Sequence, residues 1–81
     1  MSRYFFSSVD GERVDDDRGT ELPDHGAARV HAIQYAGDVM SSEPGVLWDG
    51  QEFKVEVTGD KGIKLFTIVC HAIDEPVSGR A

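Results

Sequence analysis

Apolar positions along this chain follow a two-residue period, then a helical one, then a two-residue period again. Between Arg3 and Val9, Tyr4, Phe6 and Ser8 fall on one side of an extended strand, and Phe5, Ser7 and Val9 on the other. Tyr, Phe and Val suit a pleated, half-buried surface, so a first strand is predicted over 3–9, with aromatic bulk on both faces. Asp10-Gly11 is a hairpin turn signal. Arg13-Val14-Asp15 predicts a short, polar second strand at an edge, and 16–20 a loop in which Gly19 is the conformationally free residue.

The helical period starts after Glu21-Leu22-Pro23-Asp24. Asp24 can cap the first turn, because its carboxylate accepts from amides left without intrahelical partners and sits at the positive end of the helix dipole. Ala28, Ala32, Tyr35, Ala36 and Val39 then line one helical face, while Gln34 and Asp38 point away. Three of these five are alanine, which lets the helix lie close to a sheet. Gly37 weakens the helix by about 1 kcal/mol relative to Ala, and Ser41-Ser42-Glu43-Pro44-Gly45 ends it.

After a loop over 46–50 that carries Trp48, strict alternation returns. Phe53, Val55 and Val57 face inward, and Glu52, Lys54 and Glu56 outward. A hairpin turn at 58–62 leads to a last strand over 63–70. Ile63, Leu65, Thr67 and Val69 share one side of it, and Lys64, Phe66, Ile68 and Cys70 the other. The predicted fold class is α+β, in the order β-β-α-β-β: a small antiparallel sheet with one helix on one face. Residues 3–73 form one domain, followed by a polar, loose tail over 74–81.

One helix shelters one face of a sheet. The strand around Phe53–Val57 respects this limit, but the first and last strands are apolar on both sides. If those two pair, their second face becomes a continuous apolar patch, the usual mark of an interface. The candidate interface residues are Tyr4, Phe5, Phe6, Phe66 and Ile68, with Trp48 either a core lid or an exposed anchor. A core built from 81 residues with no disulfide gives a second reason to associate.

Charge and cysteine usage limit the alternatives. The net charge of −7, from 15 acidic and 8 basic residues, disfavours nucleic acid or an anionic membrane as partner. Cys70 is the single cysteine, so no intrachain disulfide forms and a reducing cytoplasm is expected. The N-terminal run has no long apolar core or small-residue cleavage site, so no signal peptide is expected, and no stretch reaches the roughly 18–20 apolar residues of a membrane span.

Candidate chemistry is sparse. Asp15-Asp16-Asp17 lacks the glycine and terminal glutamate of a calcium loop, and reads as solvated charge. His25 and His31 lie on different sides of the helix, and Cys70 and His71 on opposite sides of a strand, so no metal or other cofactor is expected. Cys70 with His71 or His31 is the one candidate nucleophile pair, but its apolar neighbours Phe66 and Ile68 oppose thiolate formation. No phosphate loop and no small-molecule substrate are evident. An enzyme would need a concave site of convergent polar groups, and His31, His71 or Cys70 would mark its place.

At Arg3-Tyr4-Phe5-Phe6, Asp10-Gly11, 19–24 and Ala27-Ala28-Arg29, the chain resembles a family of short bacterial proteins, domain of unknown function 6894. The Trp48-Asp49-Gly50 and 53–57 segments and the Asp60-Lys61-Gly62 turn carry the resemblance further, over most of 3–69. It implies a stand-alone domain of about this length and assigns no activity, cofactor or catalytic residue. Where members often carry Glu and Leu early in the helix, this chain has His25-Gly26. The expected function is a non-enzymatic binding or structural module, self-associating as a homodimer through its open sheet face or an edge strand. The alternative is an antitoxin-like or adaptor protein that binds a basic protein partner.

Overall fold

The computed structural model describes residues 1–48 and 51–76. It contains strands β1 (Ser2–Val9), β2 (Arg13–Val14) and β3 (Thr20–Leu22), helix α1 (His25–Ser42), and strands β4 (Phe53–Thr58) and β5 (Lys64–Cys70). The α+β class stands: a small antiparallel sheet carries a single helix. β3 is additional to the sequence expectation, making the order β-β-β-α-β-β. Three residues with a polar centre, between Gly19 and Pro23, are too few to show a strand period. They become a strand because β1 offers them an edge, with Arg3 opposite Glu21 and Tyr4 opposite Thr20.

The strands are ordered β2-β1-β4-β5, and β3 also pairs with β1. β4 therefore lies between β1 and β5, which do not touch as the patch argument required. Phe6 is opposite Val57 and Ser8 opposite Val55, while Val55 is opposite Ile68 and Val57 opposite Phe66. Residues directly opposite share a face. Phe6, Val57, Phe66 and Ile68 thus all lie on the side covered by α1, and Phe5, across from Thr58, lies on the open side.

The helix obeys its sequence signals. Asp24 is the N-cap, with extended backbone, and its Oδ1 accepts from the Ala27 amide at 2.9 Å. At the other end the Glu43 amide donates to the Val39 carbonyl at 2.8 Å, and Pro44 follows. Ala28, Ala32 and Ala36 are buried against Phe53, Val55 and Val57, which are fully enclosed, and Tyr4, Phe6 and Val46 complete the core. Burying one Val or Phe side chain contributes roughly 1.5–3 kcal/mol, so the apolar row of β4 supplies a large share of the stability.

A β-bulge at Val57/Thr58 corrects the predicted faces of β5. Thr58 pairs with Lys64 and Val57 with Phe66, so Leu65 has no opposite number. Lys64 consequently stands on the open side, with its Nζ 3.6 Å from Glu56, while Leu65 joins Phe66, Ile68 and Cys70 against the core. The alternation expected over 63–70 holds only beyond the bulge. Asp49, Gly50 and the part of the expected tail over 77–81 lie outside the described residues.

Gly19 has a φ of +75°, and a Cβ there would stand 2.7 Å from Arg3 Cγ and 2.9 Å from Phe5 Cε2. Gly19→Ala is expected to lower the unfolding free energy by about 1–3 kcal/mol, read as a lower urea midpoint at unchanged slope. An unchanged midpoint would show that the loop does not hold this conformation.

Candidate functional site

β1 is bordered along one side by β4. Its other side is divided between β3, which reaches Tyr4, and β2, which begins at Ser8. Phe6 falls in the gap, and its amide donates to Asp16 Oδ2 at 3.0 Å. Asp16 Oδ1 accepts from the Arg18 and Gly19 amides, each at 3.0 Å, and the Asp16 amide donates to Ser7 Oγ at 3.3 Å. Arg3 ties the far end of the loop, donating from its guanidinium to the Arg18 carbonyl at 2.7 Å. Of the predicted Asp15-Asp16-Asp17 run, Asp16 is therefore structural, while Asp15 pairs with Arg13 at 2.7 Å and Asp17 is exposed.

Partial desolvation of the Asp16 carboxylate pushes its pKa up. The amides of Phe6, Gly19 and Arg18, with His31 nearby, outweigh that effect and hold it below the ordinary aspartate value.

The Asp16 loop and α1 enclose a cleft of about 300 Å³, lined by Phe6, Val14, Asp15, Asp16, Thr20, His31 and Tyr35. His31 and Tyr35 are one helical turn apart, and the His31 ring lies 4.5 Å from that of Phe6. The sequence predicts no cleft and names His31, His71 and Cys70 only as the places where one would favour an enzyme; the cleft forms at His31, with Thr20 and Tyr35, and not at His71 or Cys70. Thr20 lies in β3 and not in the expected loop, while Tyr35 keeps its expected place on the core face of α1, at the edge of the core.

The open side of the sheet differs from the expected apolar patch. Glu56, at its middle, faces Arg13 at 2.8 Å and Lys64 at 3.6 Å. The Arg13 contact is the main cause of the depressed Glu56 pKa, working against desolvation with help from Lys64. Ser7, Lys54, Thr58 and Thr67 share this side by register. Phe5 is half-buried here, with the Gly19 backbone close to its ring edge.

The other candidate interface residues are distributed differently from the expectation. Tyr4 and Phe6 are 5% and 6% exposed, enclosed in the core under α1. Phe66 and Ile68 are half-buried on the helix side at the rim of the sheet, because β5 is the last strand and no described strand pairs with its outer side. Trp48 is 46% exposed, so it is not a core lid. A separate apolar area, Val30 and Ile33 beside Arg29 and Gln34, lies on the outer side of α1.

Cys70 packs against the core, and burial raises its pKa. The His25 ring meets Tyr4 edge-on, and His71 lies 3.9 Å from Glu52. Among the described residues, no three His, Cys, Asp or Glu side chains converge as metal ligands would, and no helix is long and apolar enough to cross a membrane.

Replacing Asp16 by Asn keeps an oxygen acceptor but removes the charge that three amides share. A loss of about 1–3 kcal/mol at pH 7 is expected from denaturant unfolding. Because the folded-state pKa is depressed, this stabilisation is complete above the ordinary aspartate pKa near about 3.9 and disappears as pH falls through the folded value. The gap between wild type and Asp16→Asn should therefore shrink in acid. An equal gap at pH 7 and about pH 2 would refute the charge-based account.

Among known proteins, the family model described as Domain of unknown function (DUF6894) matches residues 3–71, nearly the whole described chain. The chain belongs to this family. No curated protein and no solved structure matches it significantly.

Proposed function

We propose that this family member is a non-enzymatic, self-associating module of the cytoplasm, and that two copies join along the outer edge of β5. The observation that carries this reading is the contrast between neighbouring strands. Phe53, Val55 and Val57 of β4 are fully enclosed, whereas their respective opposites on β5, Cys70, Ile68 and Phe66, remain half-buried beside a seven-residue strand edge that no strand among the described residues pairs. A strand added there would pair the edge amides and carbonyls and finish covering that row.

The second copy suits this edge because β5 is nearly symmetric about Thr67. In antiparallel pairing centred on Thr67, Phe66 of each copy lies opposite Ile68 of the other, and the two helices stay on one side of a continuous sheet. β5 carries Lys64 and no carboxylate, so two chains of net charge −7 can approach here with little repulsion. The opposite margin is poorer in strand edge, since β2 and β3 are two and three residues long. The single cysteine supports the cytoplasmic placement.

A second reading, an adaptor that offers the same edge to a basic protein, is supported by the net charge.

Thr67→Lys separates these possibilities. Thr67 is exposed and lies opposite Glu56 within the chain, so a lysine there is tolerated by the monomer. Across the proposed two-fold axis it sets two like charges face to face. Light scattering at micromolar concentration is expected to show a dimer for the wild type and a monomer for the variant, with little change in unfolding midpoint. A wild-type monomer would overturn self-association and leave the adaptor reading, while a Thr67→Lys dimer would place the contact elsewhere.

A further inference from the structure

The two flanks of α1 meet different surroundings. Ala32 points into the core, and at about 100° per residue His31 falls to one side of it and Ile33 to the other. His31 and Tyr35 line the cleft beside β2 and β3, so Ile33 lies on the flank toward β5. Gly26, Arg29, Gly37 and Met40 share that flank by the same spacing, and Val30 adjoins it on the outer side. Val30 and Ile33 are each 57% exposed, and none of these six residues is acidic in a chain of net charge −7.

We propose that this flank of α1 docks on the same flank of a second copy. The inference rests on the pairing of β5 with β5 and extends that contact from strand to helix. The His25 ring meets Tyr4 and the His31 ring meets Phe6, so α1 runs in the direction of β1. Phe6 is level with Val57 and Phe66, and the next row is Ser7, Glu56 and Thr67. Two helical residues rise about 3 Å, close to one strand step of about 3.3 Å, which sets Ile33 level with Thr67. The two-fold axis at Thr67 therefore relates Ile33 to Ile33 of the partner subunit. It also sets Arg29 opposite Gly37 of the partner subunit, and Met40 opposite Gly26 of the partner subunit, a long side chain against none in each case. Nothing in the chain lies within 4 Å of a Cβ built at Gly37, so the fold itself does not require that glycine, which weakens the helix. Three strand spacings, about 14 Å, separate the two copies of β4, so the helices above them meet through facing side chains, over the half-buried Phe66 and Ile68. Stable interfaces bury roughly 800 Å² per partner. The seven-residue edge of β5, about 24 Å long and about 10 Å deep, offers a small part of that, and the helix flank is the apolar surface that adjoins it.

Sedimentation of the full chain across micromolar concentrations tests this. Ile33→Glu alters an exposed position that the monomer tolerates, and sets two carboxylates across the axis. Gly37→Arg places a second guanidinium against Arg29 of the partner subunit while giving α1 a better helix former. Each is expected to weaken dimerisation about tenfold or more, and Gly37→Arg should not lower the unfolding midpoint of the monomer. Asp38→Asn makes the same change in charge as Gly37→Arg but lies on another side of the exposed helix surface, and should leave association unaltered. Thr67→Lys reads the strand contact separately. A wild-type dimer that Thr67→Lys disrupts, but that Ile33→Glu and Gly37→Arg leave intact, would overturn the helix contact and keep the strand pairing. An equal loss of association in Asp38→Asn would also overturn the helix contact, and a wild-type monomer would overturn both.

Discussion

The Phe6 amide and the Asp16 carboxylate hold together what the strand pairing leaves divided. β1 is an inner strand, but two short strands share its outer side and leave Phe6 between them. A buried amide without an acceptor costs about 1–3 kcal/mol, comparable to the full burial of an apolar side chain. Asp16 supplies the missing acceptor from a loop, and the same carboxylate gathers the amides of Arg18 and Gly19. One charged group thereby completes the edge of β1 and fixes the path of the chain into β3. It also positions the wall of the cleft that faces His31 and Tyr35. Gly19 follows from this arrangement, since the loop turns against Arg3 and Phe5 where no side chain fits.

The two faces of the sheet solve their solvation problems differently. Under α1, the alanine row brings the helix close enough to enclose Phe53, Val55 and Val57 completely. On the open face, Glu56 is held between Arg13 and Lys64, so charge crosses the middle of the sheet where an apolar patch was expected. That arrangement makes the open face a poor place for apolar association. What remains incompletely covered is lateral: the helix-side row of β5, which ends the sheet. A single helix centred over β4 is too narrow to seal the outermost strand as well, and this moves the case for a partner from a face to an edge.

The cleft and the edge occupy opposite margins of one sheet. The β2–β3 margin is short-stranded, acidic and organised by side chains, which produces a concavity. The β5 margin is a continuous strand, which presents backbone. The difference follows from how each margin is satisfied, by a carboxylate in one case and by no described strand in the other.

Much of this was legible in the chain itself. The capping carboxylate of Asp24, the face Ala28–Ala32–Ala36, the inward row Phe53–Val55–Val57 and the hairpin turns are local features, determined by backbone preference and by the repeat of one element, and they stand in the structure. Tertiary structure alone decided that β4 separates β1 from β5, that Thr20–Leu22 becomes a strand, and that Asp16 completes β1. It also decided that a bulge moves Lys64 to the open face and Leu65 to the core. Periodicity tells which residues of one strand share a side, but which strand lies next to it depends on contacts between segments far apart in sequence. The expectation of an apolar open face failed on both counts: it depended on β1 and β5 pairing, which β4 prevents, and on Leu65 standing on the side opposite to Phe66, which the bulge reverses.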